Sequence, residues 1–352
     1  MTQTVLIRVD SSPAIGSGHL VRMLALAQLL GDHGVKVIFA TIGPSGASVS
    51  VDSVESFDRV ALPETLAPGS RVDASMLVTE INRLRPDWVV LDGYAFDETY
   101  QRTIRATGVQ LLSVDDLALG HFASDVILNQ NFGAEHHEYS HEPYSRLKLG
   151  TGFVLLRREF RAAGTESRQE PPRRILITLG GGTVAASTAL ETIARGAALL
   201  DEAALAFRFI IGRLGSVPPT LLHMAKSAPE RFQVLPHAFD MRAEMLESDL
   251  VVTSGGSTVW ELMQSKRPFL AAALNEPQVE FLERLAAHGL CVSLGASSGL
   301  RAESVRDALR EIIRDGARRR AMVSRGALTV NAQAASMAVL DIFGIRYSNS
   351  AT

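Results

Sequence analysis

The chain carries one cysteine, Cys291, in 352 residues, so no intrachain disulfide can form. That cysteine lies in the apolar run Leu290–Leu294 with no basic neighbour in sequence. A buried thiol is expected there, not a nucleophile. No His or Cys cluster has metal-ligand spacing, so neither a metal nor a cofactor is expected. Charge of one sign is also lacking. The formal net charge is -3, and no clustered basic face suggests a nucleic-acid partner. The short run Arg318-Arg319-Arg320 reads as a solvated helix face. No apolar stretch reaches the roughly 18 residues that a membrane-crossing helix needs, so no membrane insertion is expected. The N-terminus has no charged region followed by an uninterrupted apolar segment. It does not read as a signal peptide, and the expected location is cytoplasmic. Low-complexity tracts are absent as well.

What is present is a steady alternation of short apolar runs and helical periodicity, the pattern of a parallel α/β protein. Hydrophobic residues make up 46% of the chain, and its length fits two domains better than one core. Strands are expected at Thr4–Val9, Val35–Ala40, Asp87–Leu91, Val109–Val114 and Asp125–Leu128. A helix over His19–His33, closed by Gly34, follows the first of them, and another runs from about Asp97 to Ala106. The polar, proline-containing segment 161–174 reads as a linker. The pattern then restarts, with strands at Ile175–Leu179, Phe207–Ile211, Phe232–Leu235, Asp249–Val252, Phe269–Ala273 and Leu290–Leu294. Helices are expected at Val184–Leu200, Arg301–Asp315 and Asn331–Phe343. The expected fold is α/β, with two Rossmann-like doubly wound domains at 1–160 and 175–352. A cleft between them would face the loops at the carboxyl edges of both sheets.

Two of those loops stand out. Gly16-Ser17-Gly18-His19 follows the first strand, and its glycines let backbone come close to a ligand. His19 reads either as a helix-terminal residue or as a base that takes a proton from water or a hydroxyl. The helix dipole is expected to keep its ring neutral. Arg22, one turn on, reads as an anion contact or an exposed helix residue. Asp10 reads as a partner of His19 or of a sugar hydroxyl, or as a turn former. Tyr94 and the pair Asp115-Asp116 lie past the ends of later strands at the same edge. His136, His137 and His141 read as an exposed loop. In the second half, Gly255-Gly256-Ser257-Thr258 offers N–H groups and hydroxyls to a diphosphate, and Glu261 suits a ribose diol. Thr258 and Glu261 also fit a capping box. Gly180-Gly181-Gly182-Thr183 is a second phosphate-sized turn, and Gln278 adds a polar group at that edge. The first loop is not Gly-x-Gly-x-x-Gly, since Val21 stands where the last glycine belongs, so a dinucleotide-dependent oxidoreductase is not indicated.

Taken as a set, several segments resemble the UDP-sugar hydrolases of pseudaminic acid biosynthesis, relatives of the GT-B, MurG-like glycosyltransferases. They are Arg8-Val9-Asp10, Gly16-x-Gly18-His19-x-x-Arg22, Asp115-Asp116, Leu128-Asn129-Gln130-Asn131, Leu155-Leu156-Arg157-x-Glu159-Phe160 and Gly255-Gly256-Ser257-Thr258-x-Trp260-Glu261. The resemblance runs from about Val5 to Leu294. It implies release of UDP from a UDP-linked amino-deoxy sugar by metal-free attack of water at the anomeric carbon. The catalytic His falls on His19 and the cleft tyrosine on Tyr94, and Gly255–Glu261 would hold UDP. The chain departs from the family at Gly180–Ala185, which has no carboxylate, at Leu117–His121, which has no Arg, at Pro277-Gln278, and around Asn331.

The reading that results is a UDP-sugar hydrolase acting as a monomer or weak homo-oligomer. His19 and Tyr94 are the catalytic candidates. Asp10, Gly16, Gly18, Arg22, Asp116 and Gln278 are the substrate contacts. Gly180, Gly181, Gly255, Gly256, Ser257, Thr258 and Glu261 form the nucleotide site. The alternative is a glycosyltransferase of the same fold, in which His19 deprotonates an acceptor hydroxyl. A catalytically silent sugar-nucleotide binder is disfavoured by the joint presence of His19, Tyr94 and Glu261.

Overall fold

The computed structural model describes residues 2–11, 17–43, 57–165, 170–180, 184–202, 204–212, 215–238 and 240–347. It divides into two compact units. The first comprises residues up to Ser11, His19–Arg158 and the chain from Gln333 onward; the second comprises Glu159–Ala332 together with Ser17 and Gly18.

The first unit contains β1 (Thr4–Val9), α1 (Gly18–Gly31), β2 (Lys36–Ile42), β3 (Asp58–Leu62), α2 (Arg71–Leu84), β4 (Trp88–Asp92), α3 (Glu98–Arg105), β5 (Gln110–Val114), β6 (His121–Phe122), β7 (Val126–Asn129), β8 (Ser140–His141) and β9 (Arg146–Leu149). Seven of these strands form one sheet, ordered β3-β2-β1-β4-β5-β7-β9, with every pair parallel. Parallel strands are covered on both faces, which is why β1 and β4 are almost wholly apolar. Val5, Ile7 and Val9 of β1 pack with α1 on one face. Leu6 packs on the other with Leu77 and Ile81 of α2 and Ile104 of α3.

Arg8, also on that second face, is fully buried. Its guanidinium is held by Asp73 at 3.1 and 2.9 Å and by Asp10 at 2.7 Å. Tyr100 adds a hydrogen bond to Asp73 at 3.2 Å. A buried cation needs such full pairing. The pairing pins β1 to the start of α2.

The second unit contains β10 (Arg174–Thr178), α4 (Val184–Ala198), β11 (Ala206–Ile210), α5 (Pro219–Ser227), β12 (Phe232–Leu235), α6 (Met241–Glu247), β13 (Leu250–Ser254), α7 (Thr258–Gln264), β14 (Phe269–Ala273), α8 (Glu276–Ala287), β15 (Val292–Ala296), α9 (Ala302–Arg314) and α10 (Gly316–Thr329). Its parallel sheet has the order β12-β11-β10-β13-β14-β15.

The last helix, α11 (Ala332–Ile342), corrects the expected domain boundary. Val339, Leu340, Ile342 and Phe343 join the core of the first unit, and Phe343 meets Trp88 edge-on at 5.1 Å. Helical periodicity shows that a face must be buried, but not which sheet buries it.

Two further expectations change. Segment 161–174 is tied down where described, not a free polar linker. The Gly164 N–H donates to Gln264 O at 2.9 Å, and Arg267 Nη1 donates to Thr165 O at 2.5 Å. Arg319 is buried rather than solvated. It donates to the carbonyls of Ile312 and Ile313 at 2.6 Å and pairs with Glu170, closing the carbonyl end of α9.

Cys291 is buried as expected, and burial pushes its thiol up to about 12. Iodoacetamide at pH 8 is therefore expected to leave the native protein unmodified and to alkylate it only after denaturation, because the thiolate is the reacting form. Prompt alkylation of the native protein, followed by mass spectrometry, would contradict this placement.

Candidate active site

Both sheets reverse their strand order at one point, and ligands of such sheets bind outside the carboxyl ends of the strands flanking it. In the first unit that point lies between β1 and β4. β1 leads toward α1, which carries His19, and β4 ends on Asp92. The ladder pairs Val9 with Asp92 and Asp92 with Val114. This register places Asp92 at one edge with Asp10, Asp115 and Asp116.

Four charged or titratable side chains converge there. His19 Nδ1 lies 2.7 Å from Asp92 Oδ1. Arg22, three residues along the same face of α1, grips Asp92 through Nε at 2.9 Å and Nη2 at 2.6 Å. It also grips Asp116 through Nη1 at 2.6 Å and Nη2 at 3.1 Å. The two protons of Nη2 are thus committed to carboxylates. Its 3.1 Å approach to His19 Nδ1 has no proton left to give, so Nδ1 itself carries the hydrogen and donates to Asp92. Nε2 then holds the lone pair, and among the described residues nothing bonds to it. The His19 side chain is 12% exposed and Asp92 fully buried, so the ring is the part of the pair that solvent or a ligand can reach.

Burial alone would depress His19. Asp92, by charge and hydrogen bond, and Asp116 beyond it outweigh burial and the opposing Arg22, and the ring's pKa is raised. The helix dipole is expected to lower the ring's pKa, and the direction is the opposite: a carboxylate at 2.7 Å dominates a partial charge. Burial pushes Asp92 up, but Arg22 and His19 bring it down to about 2. Asp116 is likewise lowered, chiefly by Arg22 working against burial.

Tyr94 is 58% exposed and stands edge-on to the His19 ring, 5.0 Å between centroids. Its hydroxyl donates to Asp116 Oδ2 at 3.3 Å, leaving the phenol oxygen as an acceptor. Asn131 Nδ2 donates to Asp116 Oδ1 at 3.0 Å. Asp115 turns elsewhere and accepts from Tyr139 at 2.8 Å and from the Leu117 and Ala118 N–H groups.

The structure thus brings His19, Arg22, Tyr94 and Asp116 together and adds Asp92 and Asn131. Arg22 is buried, so the reading of it as an exposed helix residue is corrected, and the anions it contacts among the described residues are the carboxylates of Asp92 and Asp116. Asp10 is not the partner of His19: its carboxylate accepts from the Ile42 N–H at 2.9 Å and pairs with Arg8. Gly18 is exposed, with open space where a Cβ would stand. Gly16 lies outside the described residues. A cavity of about 690 Å³, mouth included, opens beside Tyr94. Leu91, Phe96, Val114, Leu117 and Leu119 supply much of its wall.

In the second unit the reversal lies between β10 and β13, so the turns after both strands are neighbours. Ser254 Oγ donates to Leu179 O at 3.2 Å and ties the two strand ends together. Gly180 takes φ +83 beside that hydroxyl, a conformation that favours glycine. Gly181 lies outside the described residues. At Gly255 a Cβ would meet Gln278 Cβ at 3.0 Å and Leu282 Cγ at 3.1 Å, so glycine is needed for the approach of α8; Gly256 is open. The capping box does not form. Ser257 takes the N-cap position with helical dihedrals and no side-chain bond, and Thr258 becomes the first helical residue. Glu261 is buried on α7. Gln278 Oε1 accepts from the Leu274 N–H at 2.9 Å, so that oxygen serves the loop it closes. No group of three or more potential metal ligands occurs among the described residues, and no described helix is long and apolar enough to cross a membrane.

No family model matches the chain. An uncharacterized protein of Methanocaldococcus jannaschii is 24% identical over 289 residues, covering 78% of this chain and 57% of that protein. The UDP-2,4-diacetamido-2,4,6-trideoxy-beta-L-altropyranose hydrolase of Campylobacter jejuni is 29% identical over 180 residues, 50% of this chain and 60% of its own length. The chain therefore matches little more than half the length of either relative. Among solved structures, Acinetobacter baumannii MurG superposes with a TM-score of 0.66 over 97% of this chain and all of its own, at 17% identity. The chain has the two-domain α/β fold of the GT-B, MurG-like class.

Proposed function

We propose that the protein hydrolyses a UDP-linked amino or deoxy sugar to the free sugar and UDP. The observation that carries this reading is His19, held by Asp92 at 2.7 Å through Nδ1, with Nε2 unbonded among the described residues at the switch point of its sheet. In the proposed step water attacks the anomeric carbon as His19 Nε2 takes its proton. The bond from that carbon to the diphosphate oxygen breaks, and UDP leaves with the electron pair. Asp92 then faces an imidazolium, whose charge it stabilises. The Tyr94 oxygen can accept from a sugar hydroxyl beside His19. Partial identity to the Campylobacter hydrolase supports the same chemistry.

The nucleotide is assigned to the second unit, at the paired turns of Gly180 and Gly255-Gly256 and at Glu261. Glu261→Ala is expected to weaken UDP binding by about 1–3 kcal/mol, the cost of unmade hydrogen bonds to a charged group. Calorimetric titration showing unchanged affinity would remove Glu261 from the site.

A second reading, transfer of the sugar to an acceptor hydroxyl with His19 as its base, is consistent with the MurG-like fold. Incubation with a panel of nucleotide sugars, with and without candidate acceptors, separates the two. Free sugar and free nucleotide in equal amounts without an acceptor support hydrolysis. Turnover only when an acceptor is present supports transfer.

A further inference from the structure

The sequence reading takes Asp116 as a substrate contact, but its carboxylate is already full. A carboxylate offers about four acceptor directions. Arg22 Nη1 and Asn131 Nδ2 reach Oδ1 at 2.6 and 3.0 Å. Arg22 Nη2 and the Tyr94 hydroxyl reach Oδ2 at 3.1 and 3.3 Å. Little is left for a sugar hydroxyl. Its main partner is Arg22, which is 6% exposed and sets its fork against Asp92 as well.

The charges show what this arrangement does. If Asp92 and Arg22 stood alone they would cancel, and His19 would adjoin a neutral pair. Asp116 supplies the second carboxylate. With His19 neutral the cluster then holds one uncompensated negative charge, and a proton on His19 removes it. Among the described residues, the charged and titratable groups facing the ring are Asp92 from β4, Arg22 from α1, Asp116 beyond β5 and Tyr94 beyond β4.

We propose that Asp116 is a positioning residue that acts through Arg22: by compensating the guanidinium, it leaves the charge of Asp92 to stabilise protonated His19. The inference rests on His19 being the base. It assigns part of the basicity of that ring, beyond what Asp92 supplies by contact, to a residue that does not touch it.

NMR titration of the His19 imidazole tests this directly, in the wild type, Asp116→Asn, Asp116→Glu and Arg22→Gln. The wild-type midpoint is expected above that of an ordinary histidine. Asp116→Asn is expected to lower it by about one pH unit, the effect of removing a nearby charge. Asp116→Glu restores the charge and is expected to return the midpoint toward the wild-type value. Arg22→Gln is expected to raise it. A role limited to folding would not move the midpoint in opposite directions. An unchanged midpoint in Asp116→Asn overturns the proposal. If that variant does not fold, the wild type decides, and a midpoint at or below the ordinary value overturns it. The functional reading fails separately: absence of nucleotide-sugar turnover with these shifts intact defeats hydrolysis and leaves the charge assignment standing.

Discussion

His19→Ala and His19→Asn are each expected to lower kcat by about 10²–10⁴-fold, the usual worth of a positioned general base. UDP affinity is expected to stay nearly intact, because the nucleotide contacts are assigned to the second unit. The side chain also lies in the first turn of α1, so a helix-terminal role is the competing account. That role predicts a loss of about 1 kcal/mol in stability and little loss of rate. Steady-state kinetics and thermal unfolding of the same variants distinguish the two. A variant that melts earlier but turns over at the wild-type rate removes His19 from the chemistry.

Asp92→Asn is expected to be nearly as damaging, by a different route. The amide keeps the shape but carries no charge, so the imidazolium formed when Nε2 takes a proton loses its counter-charge. A kcat loss of about 10²–10⁴-fold is expected, as for other bases whose orienting carboxylate is neutralised. The carboxylate also neutralises buried Arg22. Its loss is expected to cost roughly 1–3 kcal/mol, less than for an isolated buried pair because Asp116 still holds Arg22. The pH dependence has a definite sign. Asp92 sits at about 2 in the folded protein against an ordinary 3.8. Its stabilisation is therefore complete above the higher value and is lost as pH falls through the lower. The wild type is expected to lose more stability than Asp92→Asn between pH 5 and pH 2, measured by urea unfolding. Equal losses would contradict the pairing.

Much of this arrangement is legible in the amino-acid order, and the gaps have physical causes. Strands buried in a parallel sheet read as short apolar runs, so β1 and β14 are evident to the residue, as is the edge strand β12 with its apolar Phe232, Val234 and Leu235. β3 (Asp58–Leu62) and α2 (Arg71–Leu84) escape notice. The strand is short, half-buried and begins on two charged residues. The helix buries only Asp73, Ala74, Leu77 and Ile81, too narrow an apolar stripe to stand out from a polar loop. β9 is hidden for the same reason as β3, with Arg146 and Leu147 of its four residues exposed.

At the site, the Gly18-His19 loop and Tyr94 are visible because each lies just past the end of an apolar run, at the edge where such sheets bind ligands. Asp92 is not. The apolar run stops at Leu91, and nothing local shows that the next residue lies beside Val9. A signal does exist in the alignment of strand ends, since Asp10, Asp92 and Asp115 each close an apolar run at the same edge. Which of those carboxylates meets His19 depends on the strand order, and that is set by crossovers that local sequence does not encode. Arg22 and Asp116 are legible as site residues, but their roles follow only from burial and from counting donors against acceptors. Gly16 and Gly181 lie outside the described residues.

In the proposed mechanism, His19-activated water attacks the anomeric carbon. The most direct test is turnover of a UDP-sugar in ¹⁸O-labelled water, with UDP recovered and its mass measured by mass spectrometry. Attack at carbon leaves the diphosphate oxygens untouched, so the account predicts unlabelled UDP together with free sugar. Label in the UDP would show that water attacked phosphorus, and would contradict the mechanism assigned to His19.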